Sequence, residues 1–164
     1  MKKIDPEALL ILSSELEQDL RQLEKLEKEN AQAMERIEQG ARESLDFAAL
    51  GYTIHNMYCL MENSFLRIAK TFENKLDKDA WHRSLLRRMT LEIPGVRPAL
   101  LDEGTVDLLD ELRSFRHVFR NLYQTGIKGE KVLSVQRIVP EAVRSFRGAV
   151  KEYVNKLRIL EEEL

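Results

Sequence analysis

Residues 1–40 carry the feature that most limits the fold. Leu9, Leu12, Leu16, Leu23, Leu26, Ala33 and Ile37 recur at heptad spacing, with Asn30 on the same seam. Asp5 followed by Pro6 is a helix start, with the aspartate as N-cap and the proline at the first helical position, where no N–H is needed. Gly40 supplies the stop. The pattern predicts one unbroken helix to about Gln39. Such a helix either lies along a bundle or projects as a coiled-coil arm. The stripe broadens at Leu9 and Leu10 and the outer face is rich in Glu and Lys, which keeps both open.

The same periodicity continues downstream in shorter pieces. A second helix, capped by Ser44, is predicted to about Asn74, with Leu45, Ala48, Ala49, Tyr52, Leu60, Phe65, Ile68, Ala69 and Phe72 giving it the wide apolar surface of a central helix. A third runs from Lys78 or Asp79 to about Glu92, with Trp81 as a packing anchor, before a loop marked by Pro94, Gly95, Pro98 and Gly104. A fourth is predicted from Thr105 to about Gln124. After a turn at TGIKGEK, Pro140 opens a last helix with Val143, Phe146, Val150, Val154, Leu157 and Leu160 as its stripe. No segment alternates with period two. The expected class is all-α, an antiparallel helical bundle of about five helices with a long N-terminal helix. Residues 1–164 are expected to form one domain, with 45–133 as its core and 138–164 as its C-terminal helix.

Composition narrows function mainly by exclusion. Lys and Arg number 26 against 28 Asp and Glu, so a net charge of -2 exerts no global pull on nucleic acid or acidic membrane, and an anion site must be a local cluster. The single Cys59 excludes an internal disulfide and leaves no thiol set for structural zinc, which fits a cytoplasmic setting. Lys2 and Lys3 ahead of Ala8 to Leu12 imitate a signal peptide, but acidic residues break the run and no small-residue cleavage site follows. No stretch is apolar for long enough to span a bilayer. Glycine loops for phosphate, paired zinc motifs and a serine-histidine-aspartate order are all missing, so neither metal nor cofactor is expected.

One local cluster does stand out, in the sequence FRHVFRNLY at 115–123. On an ideal helix, with Arg116 as zero, Tyr123 lies near -20°, Arg120 near 40°, Arg113 near 60°, His117 near 100° and Asn121 near 140°. The polar residues share one wide face, and Phe115, Val118, Phe119 and Leu122 are assigned to the other. Three arginines on one face repel one another unless an anion sits among them, and planar guanidinium groups suit carboxylate or phosphate. Asp110, Glu111 and Glu62 are the internal candidates; RNA or a nucleotide is the external one.

The stretch resembles the HEPN superfamily, and within it the HepT-like ribonuclease toxins. Their hallmark is an arginine, four residues, a histidine and then a tyrosine two further on, and the corresponding positions here are Arg116, Asn121 and Tyr123. LGYTIHNMYCLMENSFLRIAK, WHRSLLRRM and PGVRPALL extend the similarity, which covers roughly residues 45–133. The resemblance implies a helical bundle that forms a homodimer around a shared cleft, and metal-independent endoribonuclease activity as the toxin of a toxin-antitoxin pair. It implies RNA as substrate and a nucleotidyltransferase antitoxin that adds AMP to Tyr123. Arg116 and Arg120 fit the cations that hold the developing phosphate charge. Asn121 departs from the pattern, because an amide does not exchange protons near neutral pH. His117 is the nearby substitute, although about 100° round the helix from Arg116. A module that only binds nucleotide, RNA or a nucleotidyltransferase partner is the alternative. A purely structural helical protein is the third.

Other polar groups are expected to serve the scaffold. His55, Cys59 and Glu62 share one helix face and include zinc-ligand types, but interhelical hydrogen bonding is the expected role, with Glu62 pairing to an arginine of the fourth helix. His82 is expected to be an exposed polar residue. Arg83, Arg87 and Arg88 form a second basic patch, and Arg97 is placed to cap a helix end or to lie at a dimer seam.

Overall fold

The structure, a computed structural model, describes residues 4–73, 81–121 and 126–164, without the side chain of Trp81. The described chain is all-α, with helices α1 (Pro6–Glu38), α2 (Ser44–Phe72), α3 (Trp81–Arg88), α4 (Glu103–Arg120), α5 (Gly129–Gln136) and α6 (Val139–Glu162). The expected positions of Asn74, Lys78, Asp79, Leu122, Tyr123 and Gln124, and the packing role of Trp81, lie outside the described residues.

α1 begins and ends where its caps require. The Asp5 carboxylate accepts the Glu7 N–H at 3.1 Å, and Gly40, at φ 103°, takes the left-handed conformation that lets the chain reverse into α2. The apolar seam of α1 is buried from Leu9 to Ile37, against α2 and α6 along its length. α1 is therefore a wall of the bundle, and the projecting-arm alternative is set aside. Both packings are antiparallel: Asp19 accepts from Ser64 and Arg36 pairs with Asp46 across α1 and α2, while Glu27 pairs with Arg147 and Glu17 with Arg158 across α1 and α6. Asn30, on the α1 seam, donates to Thr53 Oγ1 and Gln136 Oε1, each at 2.9 Å, and accepts from Gln136 Nε2 at 2.8 Å. A buried amide that finds these partners fixes the register of α1 against α2 and α5.

α2 is the central helix. It contacts α1, α3, α4 and α5, and its buried set runs from Leu50 to Phe72. Its N-terminus differs from expectation: Ser44 is the first helical residue, Glu43 is the cap, and the Asp46 carboxylate accepts the Glu43 N–H at 3.1 Å. The number of helices also differs. Residues of the expected TGIKGEK turn open α5, a sixth helix of eight residues that buries Val132 and Val135. So short a helix is stabilised by its packing rather than by its own propensity, which is why periodicity alone passes over it.

Arg97 settles as a cap. Only 2% exposed, it donates to the carbonyls of Arg88 and Leu91 at 2.8 and 2.9 Å and to Glu73 at 2.9 Å, tying the end of α3 to the end of α2. Glu73 also takes Arg88, so the basic patch expected at 83–88 is partly neutralised within the fold.

Candidate functional site

α4 is held at its N-terminus by Asp102, whose Oδ1 accepts the Thr105 N–H at 2.7 Å; that bond keeps the carboxyl below its usual pKa. Val106, Leu109, Leu112 and Phe115 then bury one side against the bundle, which turns Arg113, Arg116 and Arg120 towards α2 and solvent. The face assignment fails at Val118, which is 44% exposed and lines an apolar pocket with Phe115, Ile127 and Val132.

α4 approaches α2 closely because of one glycine. A Cβ at Gly51 would stand 2.7 Å from Cε2 of Phe119, so only glycine admits that ring at this depth. Phe119 stacks on Phe115, with centroids 5.7 Å apart, and lies tilted against the imidazole of His55 at 5.6 Å. The aromatic contact brings His55 to the polar face of α4.

The three arginines part company there. Arg113 Nε donates to Asp110 at 2.7 Å, within its own helix. Half-buried Arg116 donates instead to a sulfur, its Nε standing 3.3 Å from Cys59 Sγ. Arg120 is exposed. Among the described residues no carboxylate forms an ion pair with Arg116 or Arg120. Glu62 has another partner: its Oε2 is 2.7 Å from Nδ1 of His82, so the expected pairing with an arginine of α4 gives way to one with α3. The reason is burial, since Glu62 points into the contact between α2 and α3 and is 4% exposed. His82 is correspondingly half-buried rather than exposed.

With no carboxylate paired to them among the described residues, Arg116 and Arg120 raise the potential around them, and His55 responds. Burial first, then Arg116 and Arg120, hold its pKa below the ordinary histidine value of 6.5. Its Nε2 lies 3.6 Å from Cys59 Sγ, the same sulfur that Arg116 reaches, while Nδ1 is buried with no partner among the described residues. Sequence alone shows His55 and Cys59 one turn apart on α2, but the register that sets this turn against Arg116 is tertiary.

The remaining motif residues lie around the end of α4. His117 is exposed, and Asn121, the C-cap, donates its side-chain amide to the His117 carbonyl at 2.9 Å. Tyr123 lies outside the described residues. No group of three or more His, Cys, Asp or Glu side chains among the described residues is arranged to hold a metal, and no described helix is long and apolar enough to cross a membrane.

The arginine-bearing end of α4, set against α2, falls inside a family match. Residues 49–157, more than half of the chain, match the family model described as HepT-like protein. The chain belongs to the HepT-like family. The HepT-like region begins in α2, carries α3, α4 and α5, and ends within α6, so the last helix joins the segment on which the sequence resemblance rests. α1 lies wholly outside the match and packs against its α2 and α6. No curated protein and no solved structure matches the chain.

Proposed function

We propose that this protein is a metal-independent endoribonuclease, the toxin component of a toxin-antitoxin pair, acting on RNA at the face of α4 that bears Arg116 and Arg120. The observation that carries this reading is the unequal treatment of the arginines: Arg113 has a carboxylate, whereas among the described residues Arg116 and Arg120 have none, which leaves them open to an anion. Family membership makes RNA phosphate the leading candidate for that anion.

The reaction is attack of a ribose 2'-hydroxyl on the adjacent phosphate. Arg116 and Arg120 hold the phosphate and the charge that develops on it. His117, exposed beside them, exchanges a proton with the substrate, and Asn121 orients the end of the helix rather than moving a proton. Arg113 and Glu62 support the site, through Asp110 and His82 respectively. A homodimer would place two such faces around one cleft. A nucleotidyltransferase antitoxin that added AMP to Tyr123, three residues beyond Arg120, would bring phosphate to the same cations and block RNA.

The test is cleavage of a mixed RNA pool in EDTA by the wild type, Arg116→Ala and His117→Ala. Products ending in 2',3'-cyclic phosphate, lost in both variants, support the nuclease. A binding-only module is the second reading, favoured by the amide at Asn121. It predicts no cleavage together with RNA affinity that disappears in Arg116→Ala.

A further inference from the structure

His55 is absent from the motif, yet the fold delivers it to the motif's arginines. Three contacts define its position. Its ring leans on Phe119 at 5.6 Å, its Nε2 stands 3.6 Å from Cys59 Sγ, and that sulfur takes a hydrogen bond from Arg116 at 3.3 Å. Nε2 and the Arg116 guanidinium are thus neighbours across one sulfur atom.

The ring is also held in a particular protonation state. In the neutral tautomer that carries its proton on Nδ1, which is buried with no partner among the described residues, Nε2 is the bare nitrogen and can accept from the Cys59 thiol, whose sulfur accepts from Arg116. Among the described residues the charged groups that face it are Arg116 and Arg120 from α4, and the uncharged Cys59 thiol faces it from its own helix, so a further positive charge is unwelcome. A histidine kept neutral beside two cations has the electronic state of a general base.

We infer that His55 is a catalytic residue of this site, the base whose Nε2 takes the proton of the attacking 2'-hydroxyl. The inference rests on the nuclease reading above and supplies the proton acceptor that Asn121 cannot be. The 2'-oxygen forms its bond to phosphorus as its proton passes to Nε2. The bond from phosphorus to the 5'-oxygen then breaks, and that oxygen takes a proton from protonated His117. The products are a 2',3'-cyclic phosphate and a 5'-hydroxyl, and exchange with water returns both histidines to their starting forms. Two histidines, one half-buried against the Phe119 ring and one exposed, divide the proton transfers.

The experiment compares full-length wild type, His55→Gln and His55→Ala in EDTA from pH 5 to 9, following RNA cleavage, RNA affinity and melting temperature together. His55→Gln is expected to lose cleavage by about 10²–10⁴-fold, the usual contribution of a general base, while its RNA affinity stays within about threefold of wild type. Added imidazole is expected to restore part of the rate of His55→Ala. The acidic limb of the wild-type rate profile should follow the His55 titration and be missing from the residual rate of His55→Gln. A folded His55→Gln that cleaves as fast as wild type overturns the inference and leaves the nuclease reading standing; a wild type that does not cleave overturns both.

A readout on the unmodified protein covers variants that fail to fold. By NMR, the His55 ring should titrate below 6.5 in the free protein and shift upward when uridine 3'-monophosphate binds, because the phosphate cancels the arginine charge. No upward shift overturns the inference as well.

Discussion

Two arginine clusters touch α2, and they have opposite electrostatic outcomes. Near the C-terminal end of α2, Arg88 and Arg97 converge on Glu73, and the Arg97 side chain is fully buried. In the middle of α2, Arg116 donates to a cysteine sulfur and Arg120 is exposed, with no carboxylate paired to either among the described residues. The residue type is the same and the helix is the same. What differs is the counter-charge: a guanidinium neutralised in place is scaffold, and one left uncompensated beside solvent is ready for an external anion.

The contrast is broken most severely at Glu73. Glu73→Ala leaves Arg97 buried without its carboxylate and is expected to cost about 3–5 kcal/mol, read as a lower denaturation midpoint. A loss below about 1 kcal/mol would mean that the carbonyls of Arg88 and Leu91 hold Arg97 unaided.

Arg116→Ala should behave in the opposite way. Its melting behaviour should change by no more than about 0.5 kcal/mol, while RNA cleavage falls by about 10²–10³-fold, as when one preorganised charge donor is removed. An Arg116→Ala protein that is strongly destabilised yet still cleaves RNA would make the two clusters alike.

Gly51→Ala probes the contact that places α4 on α2. Forcing a methyl group against Phe119 is expected to cost about 1–3 kcal/mol in chemical denaturation. It should also shift the His55 titration, because the ring that leans against the imidazole must move.

The smallest expected effect is on the pH dependence of stability. The folded-state pKa of His55 lies below 6.5, so the unfolded chain binds the proton more readily. The contribution is present above that ordinary value and is lost as pH falls through it towards the folded value. Denaturation midpoints measured from pH 7.5 downward should therefore decline more steeply in wild type than in His55→Gln, whereas parallel curves would mean that neither burial nor the arginines lower the pKa of the ring.

Long elements were legible in the sequence, and of the two eight-residue helices α3 was read and α5 was not. α1 declares itself through a heptad stripe with Asp5, Pro6 and Gly40 as its bounds, all of them local signals. α5 is eight residues long and exists only because α2, α4 and α6 surround it, so its pattern is too brief to register. The cap of α2 was read one residue late because Ser44 has the commoner capping side chain, while Glu43 works only together with Asp46. Val118 escaped its assigned face because the pocket between α4 and α5 does not follow an ideal helical wheel.

The candidate site divides along the same line. By itself the sequence determined that Arg113, Arg116, His117, Arg120 and Asn121 occupy neighbouring positions on one amphipathic helix, since helical geometry places residues three and four apart together whatever surrounds them. The sequence also shows an asparagine, Asn121, where the resemblance to the family's motif leads one to expect a histidine. Tertiary structure alone decided which arginine finds a carboxylate, that Glu62 turns to His82, and that Gly51 lets Phe119 draw His55 to Arg116. Each of those outcomes depends on the register between helices, which is set by side chains interlocking across distant parts of the chain and leaves no local trace in the sequence.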